Sequence, residues 1–337
     1  MSTTAGVFSE TLLLDSIVKA EAIQADDRIN QQFKPQIEAS KAYLAAQTMD
    51  TRLLETPDKD TVLKIWWENF CGLIGQECVP CEVGGPKGST NAQTYTIDRC
   101  WEVPFSLDEN DFTGNIADPA EHLAKQKLRA KVILAEYVTQ QMIVALNSFV
   151  GINAFTGAPG VVSGADTFIG SSFWTPELVA YFLQVTKMNR FTNPSFLTGA
   201  NLFQAYTLAQ ANAANADGKG ANNMFSILNP FFDQWNVDTV NTPNLVSYLI
   251  SKGSVAFASK AIYPANTMKD IGSNITAWSE NNGFIPGLKE DWKFKKTCSN
   301  DRTLWDFTVG IKFGLYSNPT GCDLGNTGVL SFTCGTP

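Results

Sequence analysis

Between Asp118 and Val150 the apolar positions fall at Leu128, Val132, Ala135, Val138, Met142, Leu146 and Phe149. Those steps of three and four place one stripe along an α-helix. Asp118 stands where an N-cap belongs, Pro119 at the first helical position and Glu121 three residues after the cap, so the first-turn N–H groups have partners. Gly151 is placed to cap the other end. The rod is about 45 Å long at ~1.5 Å per residue. A compact globule rarely needs such a rod, and a thin, extended plate does.

Upstream the pattern is weaker. Leu12, Leu13, Ile17, Ala20 and Ile23 predict a helix over 11–23, and 36–46 a second short one. Neither stripe is wide enough to close a core, so this polar arm should lie across something else, in the same chain or in a neighbour. The character changes over 61–105. Val62 to Trp67 is apolar, and Cys78–Val83 and Thr94–Trp101 carry strand-forming residues on either side of Gly84-Gly85-Pro86-Lys87-Gly88. This predicts a long β-hairpin with a glycine-rich tip, projecting because both flanks are partly polar.

Beyond the long helix, Thr175-Pro176-Glu177 opens another, with Leu178, Val179, Phe182, Val185 and Met188 as its apolar side and Asn193-Pro194 as its end. A short strand at Ser195–Thr198 leads into a third helix at 201–214, followed by a loop at 215–223. Strand-like runs at Val246–Ile250 and Ser254–Ile262 complete a mixed α/β lobe, and 292–315 reads as strand again.

Composition changes the picture in two respects. Only 17% of the 337 residues are charged, against 44% apolar, which fits a surface partly covered by further copies of the chain, and equally a globule whose surface is polar but uncharged, rich in Asn, Thr and Gln. The net charge of −8, with no Lys/Arg-rich run, leaves no electrostatic footprint for tight nucleic-acid binding. No apolar run reaches the ~18 residues of a membrane span. Met1–Glu10 lacks the layout of a signal peptide, and seven cysteines do not suggest a secreted disulfide framework, so a cytoplasm-like compartment is expected.

Candidate chemistry is sparse. His122 is the one histidine, in the first turn of the long helix, and reads as a surface or interface residue. Cys71, Cys78, Cys81 and Cys100 gather in the hairpin region. Cys78-Val79-Pro80-Cys81 has the spacing of one zinc knuckle, so structural zinc, a disulfide and plain thiols all stay open, the last being the simplest. Cys298, Cys322 and Cys334 read as plain thiols. Lys87 at the tip reads as a solubilising residue, with a reach to a partner's carboxylate, or a cross-link, as the sharper alternative. The segment 84–90 lacks phosphate-loop spacing, and Asp58, Asp60, Asp108, Glu109 and Asp111 lack calcium-loop spacing. No catalytic, metal or cofactor residue is assigned, and no enzyme is expected.

The order of these elements resembles the tailed-bacteriophage major capsid protein family, with its Hong Kong 97-like fold. Two stretches carry the local likeness: Val103–Phe112, running into the long helix, and Phe196–Phe203, a strand entering a helix. The resemblance implies an α+β fold. Residues 1–60 would be an N-terminal arm and 61–105 an extended hairpin loop. Residues 106–173 would be a peripheral domain with the spine helix, 174–290 an α/β axial domain, and 291–337 peripheral strands and tail. It further implies a self-assembling icosahedral shell of hexamers and pentamers around double-stranded DNA held without sequence-specific binding. The loop would lie over an adjacent subunit and the arm would reach a neighbour. Portal, scaffolding or decoration proteins are possible partners, no membrane is involved, and the virion capsid, assembled in the host cytoplasm, is the expected location. An encapsulin-like protein cage, or a cytosolic zinc enzyme using the hairpin cysteines, are the alternatives.

Overall fold

The computed structural model describes residues 10–25, 33–47, 62–69, 89–108, 118–175, 178–191, 193–215, 229–232, 246–299, 302–318 and 327–335. Two helices of the arm, α1 (Glu10–Ala25) and α2 (Glu38–Ala45), lie against the same chain, the first along α3 (Pro119–Phe149). Leu13, Ala20 and Ile23 of α1 are buried, with Ala20 and Ile23 against Ala124 and Leu128 of α3. In α2 the buried face is Ala39, Ala42 and Tyr43, and the Tyr43 hydroxyl donates to the Ala256 and Tyr316 carbonyls at 3.1 and 3.3 Å. The described arm helices therefore find apolar partners on the chain's own long helix.

Helix α3 starts as its sequence requires. The Asp118 side chain accepts from the Ala120 N–H at 3.0 Å and also pairs with Lys19 of α1. Its end differs from the expectation. Val150 leaves in an extended conformation (φ −58, ψ 127), and the Gly151 N–H donates to the Val329 carbonyl at 2.8 Å. A neighbouring strand supplies the acceptor, so no left-handed glycine cap is needed. Leu128, Ala135, Val138, Met142 and Leu146 are fully buried, while Val132 and Phe149 are half-buried.

The hairpin pairs β1 (Val62–Asn69) with β2 (Ser89–Thr96), antiparallel from Val62↔Thr96 to Asn69↔Ser89. Its outgoing arm is thus the Val62 run. The expected flank at Cys78–Val83, like the tip, lies outside the described residues. The expected return strand divides after Thr96, and Arg99–Asp108 becomes β3 of a larger sheet. Alternation identifies a strand but not its partner: Val103, Phe105 and Leu107 match Val309, Phe307 and Trp305 across the ladder. Nor does the hairpin base merely project. Leu63, Ile65 and Trp67 are buried with Ala256, Ala258 and Tyr316 in a small core of their own.

The larger sheet runs in the order β10 (Lys269–Asp270), β11 (Ile275–Asn281), β12 (Lys289–Ser299), β13 (Arg302–Ser317), β3, with β9 (Val255–Ser259) pairing the end of β13. Its inner face, including Trp278, Trp292, Val309, Ile311 and Phe313, packs with α3. Strand β9 ends at Ser259, short of the Ile262 expected.

The second sheet is ordered β4 (Gly160–Ser163), β5 (Asp166–Ile169), β14 (Val329–Cys334), β8 (Val246–Ile250), β6 (Ser195–Thr198), β7 (Asn229–Phe232). It carries α4 (Leu178–Met188) and α5 (Ala200–Asn215), tied to it by Phe182, which lies 4.8 Å from both Phe196 and Phe332. Pro176 and Glu177 lie outside the described residues, and Met188 is exposed at the edge of the buried face, which Val185, Thr186 and Asn189 carry on through the end of α4. Gly328, at φ +83, enters β14 where a Cβ would meet Ser254 Cβ at 2.5 Å.

Candidate assembly surfaces and a buried charge network

Two lysines of α3 lie inside its apolar face. Lys127 and Lys131 are one helical turn apart and both buried. Opposite them, β11 and β12 present Trp278-Ser279-Glu280 and Glu290-Asp291-Trp292 in mirrored register, Trp278 facing Trp292 and Glu280 facing Glu290. Two carboxylates face to face in a sheet repel one another, and the lysines neutralise them from above. Lys127 pairs with Glu280, while Lys131 reaches Glu280 at 3.2 Å and Glu290 at 3.7 Å. Asn282 donates to Glu290 and to the Lys131 carbonyl, and the Trp278 indole N–H donates to Glu280 at 2.6 Å. The Lys127 ammonium also stands 5.1 Å from the centre of the Trp292 ring.

The groups respond differently to this site. Burial works against the Glu280 charge, but Lys127 and Lys131 together outweigh it and hold the carboxyl below its ordinary range. For Glu290 complete burial wins over Lys131 and Asn282, and its carboxyl is pushed up. Burial likewise lowers Lys127, while Glu290 and Glu280 overcome burial at Lys131 and raise it. Glu290 therefore favours folding most as the neutral acid. That contribution is present below its unfolded value of about 4.3 and is lost as pH rises through the higher folded value. Glu290→Gln, which keeps an acceptor for Asn282, should accordingly gain stability relative to the parent as pH rises above that unfolded value. Urea melts of both proteins over a rising pH series measure it. A difference independent of pH would show that Glu290 is charged throughout.

The residues singled out from sequence scatter. His122 is half-buried in the first turn of α3, Cys100 is exposed on β3 and Cys334 is buried at the end of β14. Cys298 lies in β12 opposite Thr303, and Asp108 ends β3. Cys71, Cys78, Cys81, Cys322, Lys87, Asp58, Asp60, Glu109 and Asp111 lie outside the described residues. Among the described residues no three His, Cys, Asp or Glu side chains gather as a metal site requires, and no helix is long and apolar enough to cross a membrane. The charge network was missed in sequence, although lysines interrupting an apolar stripe and the mirrored Trp-x-Glu and Glu-x-Trp were its signals.

Large apolar side chains reach the surface in both bodies: Ile133 and Val144 on α3, Val161 and Phe173 before α4, and Phe203 and Leu208 on α5. Trp101 of β3, partly exposed, stacks on Tyr137 of α3 at 4.2 Å, next to the open edge of the larger sheet. Such positions suit contact with other chains.

Neither a known family profile nor a curated protein matches the sequence. Solved structures do. The capsid of Ralstonia phage GP4 is 12% identical with a TM-score of 0.47, over 86% of this chain and 87% of that one. The mature capsid of bacteriophage PhiM1 is 9% identical at 0.47, over 88% and 87%. The capsid of cyanophage P-SCSP1u is 10% identical at 0.45, over 82% and 84%. The chain resembles phage capsid proteins.

Proposed function

We propose that the chain is a major capsid protein, a non-catalytic building block that assembles into an icosahedral shell around double-stranded DNA. One observation carries the proposal. Among the described residues, large apolar side chains stand at the surface around both sheets: Ile133 and Val144 on α3, Val161 and Phe173 before α4, and Phe203 and Leu208 on α5. Such positions suit burial against further copies of the chain. They accompany features an isolated molecule has little use for: a sheet braced by a 31-residue helix and a hairpin rooted at the sheet's end.

In this reading α3 and the larger sheet form the peripheral domain of a Hong Kong 97-like fold. The second sheet with α4 and α5 forms the axial domain that meets its copies around five- and six-fold axes. Residues 61–98 are the extended loop, lying over an adjacent subunit, while β3 (Arg99–Asp108), expected in part within that loop, belongs with the larger sheet. Assembly takes place in the host cytoplasm, and portal, scaffolding or decoration proteins are added partners.

Removing residues 84–88 tests the loop while leaving the paired strands whole. The shortened protein should melt like the parent yet give at least ten-fold fewer particles by electron microscopy. Equal particle yield from the two proteins would end the loop assignment, and a parent that forms no particles under any condition of salt and concentration would end the shell.

A further inference from the structure

The outer face of the larger sheet gathers a charge that the linear sequence conceals. Along β12, Lys289, Lys293 and Lys295 alternate with the buried Glu290, Trp292 and the half-buried Phe294, so the lysines point away from α3. The ladder adds further lysines on the same face. Lys269 of β10 lies opposite Ala277, whose other neighbour is Lys293, and Lys312 of β13 alternates with the buried Ile311 and Phe313. Lys269 and Lys295 are exposed, and Lys289, Lys293 and Lys312 are half-buried. With strands ~4.8 Å apart and ~3.4 Å per residue, the five occupy a patch of about 14 by 20 Å.

The acidic groups on this face are fewer. Glu102 pairs with Lys293 at 3.3 Å, and Asp306 accepts from Ser106 and Thr297. Asp108 stands at the far end of β3, and Asp291 is buried beneath the Ile262 N–H that donates to it. Five lysines against three accessible carboxylates make this patch positive on a chain whose net charge is −8. Helices α1 to α3 cover the opposite face. The hairpin base covers only the end near Ala256, Ala258 and Tyr316.

The chemistry of the patch selects its partner. Protein interfaces are built around a dry apolar centre, whereas among the described residues this face exposes large apolar side chains at its rim, Ile262 and Ile271, and none at its centre. Interfaces with nucleic acid are polar, positive and wet, and hydroxyls of Ser106, Thr297 and Thr308 stand among these lysines. A duplex presents about one charge per 1.7 Å of axis, so some twelve phosphates pass over ~20 Å. We infer that the outer face of this sheet binds the phosphate backbone of duplex DNA without reading its sequence. The inference deepens the shell reading and rests on it for the identity of the polyanion.

The test uses full-length protein and a random duplex of about 30 base pairs, followed by fluorescence anisotropy over a salt series. The parent should bind with an affinity that falls linearly in log salt. The triple variant K269Q/K293Q/K295Q should bind at least ten-fold more weakly at about 50 mM salt, with a slope smaller by about 2.7. K125Q/R129Q on α3 should match the parent. If the triple variant does not fold, K295Q alone should still lower the slope by about 0.9. Equal binding by parent and triple variant overturns the inference, as does an equal loss in the α3 control. Unchanged DNA binding with fewer particles by electron microscopy also overturns it, because the face then meets acidic protein. Lysine-dependent DNA binding by a parent that never forms particles would support this surface while removing the shell.

Discussion

Leu146→Asp is expected to yield no folded protein. Leu146 is completely buried in the main core, which α3 shares with Tyr248, Phe257, Phe313 and Val329. An aspartate there would bring a charge into that core with no described cation among the core side chains to meet it, and the cost, several kcal/mol, approaches the whole stability of a typical domain. Leu146→Met, which conserves volume, should cost less than about 1.5 kcal/mol. Expression, solubility and thermal melts of the two variants decide it. A soluble Leu146→Asp protein with a cooperative transition would show that this helix face is not core.

The second large effect belongs to the charge network. Lys127→Met should destabilise the chain by about 3–5 kcal/mol, because it leaves Glu280 buried opposite Glu290 with Lys131 as the one nearby cation. Adding Glu280→Gln to that variant should restore a large part of the loss, since the unpaired charge is then gone. Urea midpoints of the parent, the single and the double variants give the coupling. Additive effects would mean that Lys127 and Glu280 do not depend on each other for stability. The same network explains why α3 settles at one register: sliding by a single residue would carry both lysines off their carboxylates.

Much of the architecture is visible in the chain's periodicity. The long helix has its Asp118 cap and buried stripe, and the strands at Ser195–Thr198 and Val246–Ile250 match to the residue. These succeed because 3.6-residue and two-residue patterns are local, set by which side of an element must be dry. The failures are about partners. Thr94–Trp101 reads as one strand, but Trp101 packs on Tyr137 of α3 while Tyr95 packs on Tyr316, so the chain divides between hairpin and sheet. Gly151 reads as a cap, yet Val329, nearly 180 positions later, supplies the acceptor.

The candidate sites follow the same division. Cysteines and a glycine-rich tip draw attention in a linear reading because they are close in sequence. Lys127 with Glu280 and Lys269 with Lys293 do not, since the first pair is separated by 153 residues and the second is joined only through the ladder. Three lysines of the charge patch lie close together in β12, but Lys269 of β10 and Lys312 of β13 join them only through the ladder, and the net charge of −8 points the other way.

By itself, then, the sequence determined which segments are helix or strand, which side of each seeks burial, and that the long helix needs an extended body to lie on. Tertiary structure alone decided that the arm would use its own chain's helix, that two lysines would be buried, and which lysines would share a face. The reason is physical: burial and backbone geometry act over a few residues, whereas charge pairing and strand pairing depend on distances that exist only after the chain has closed on itself.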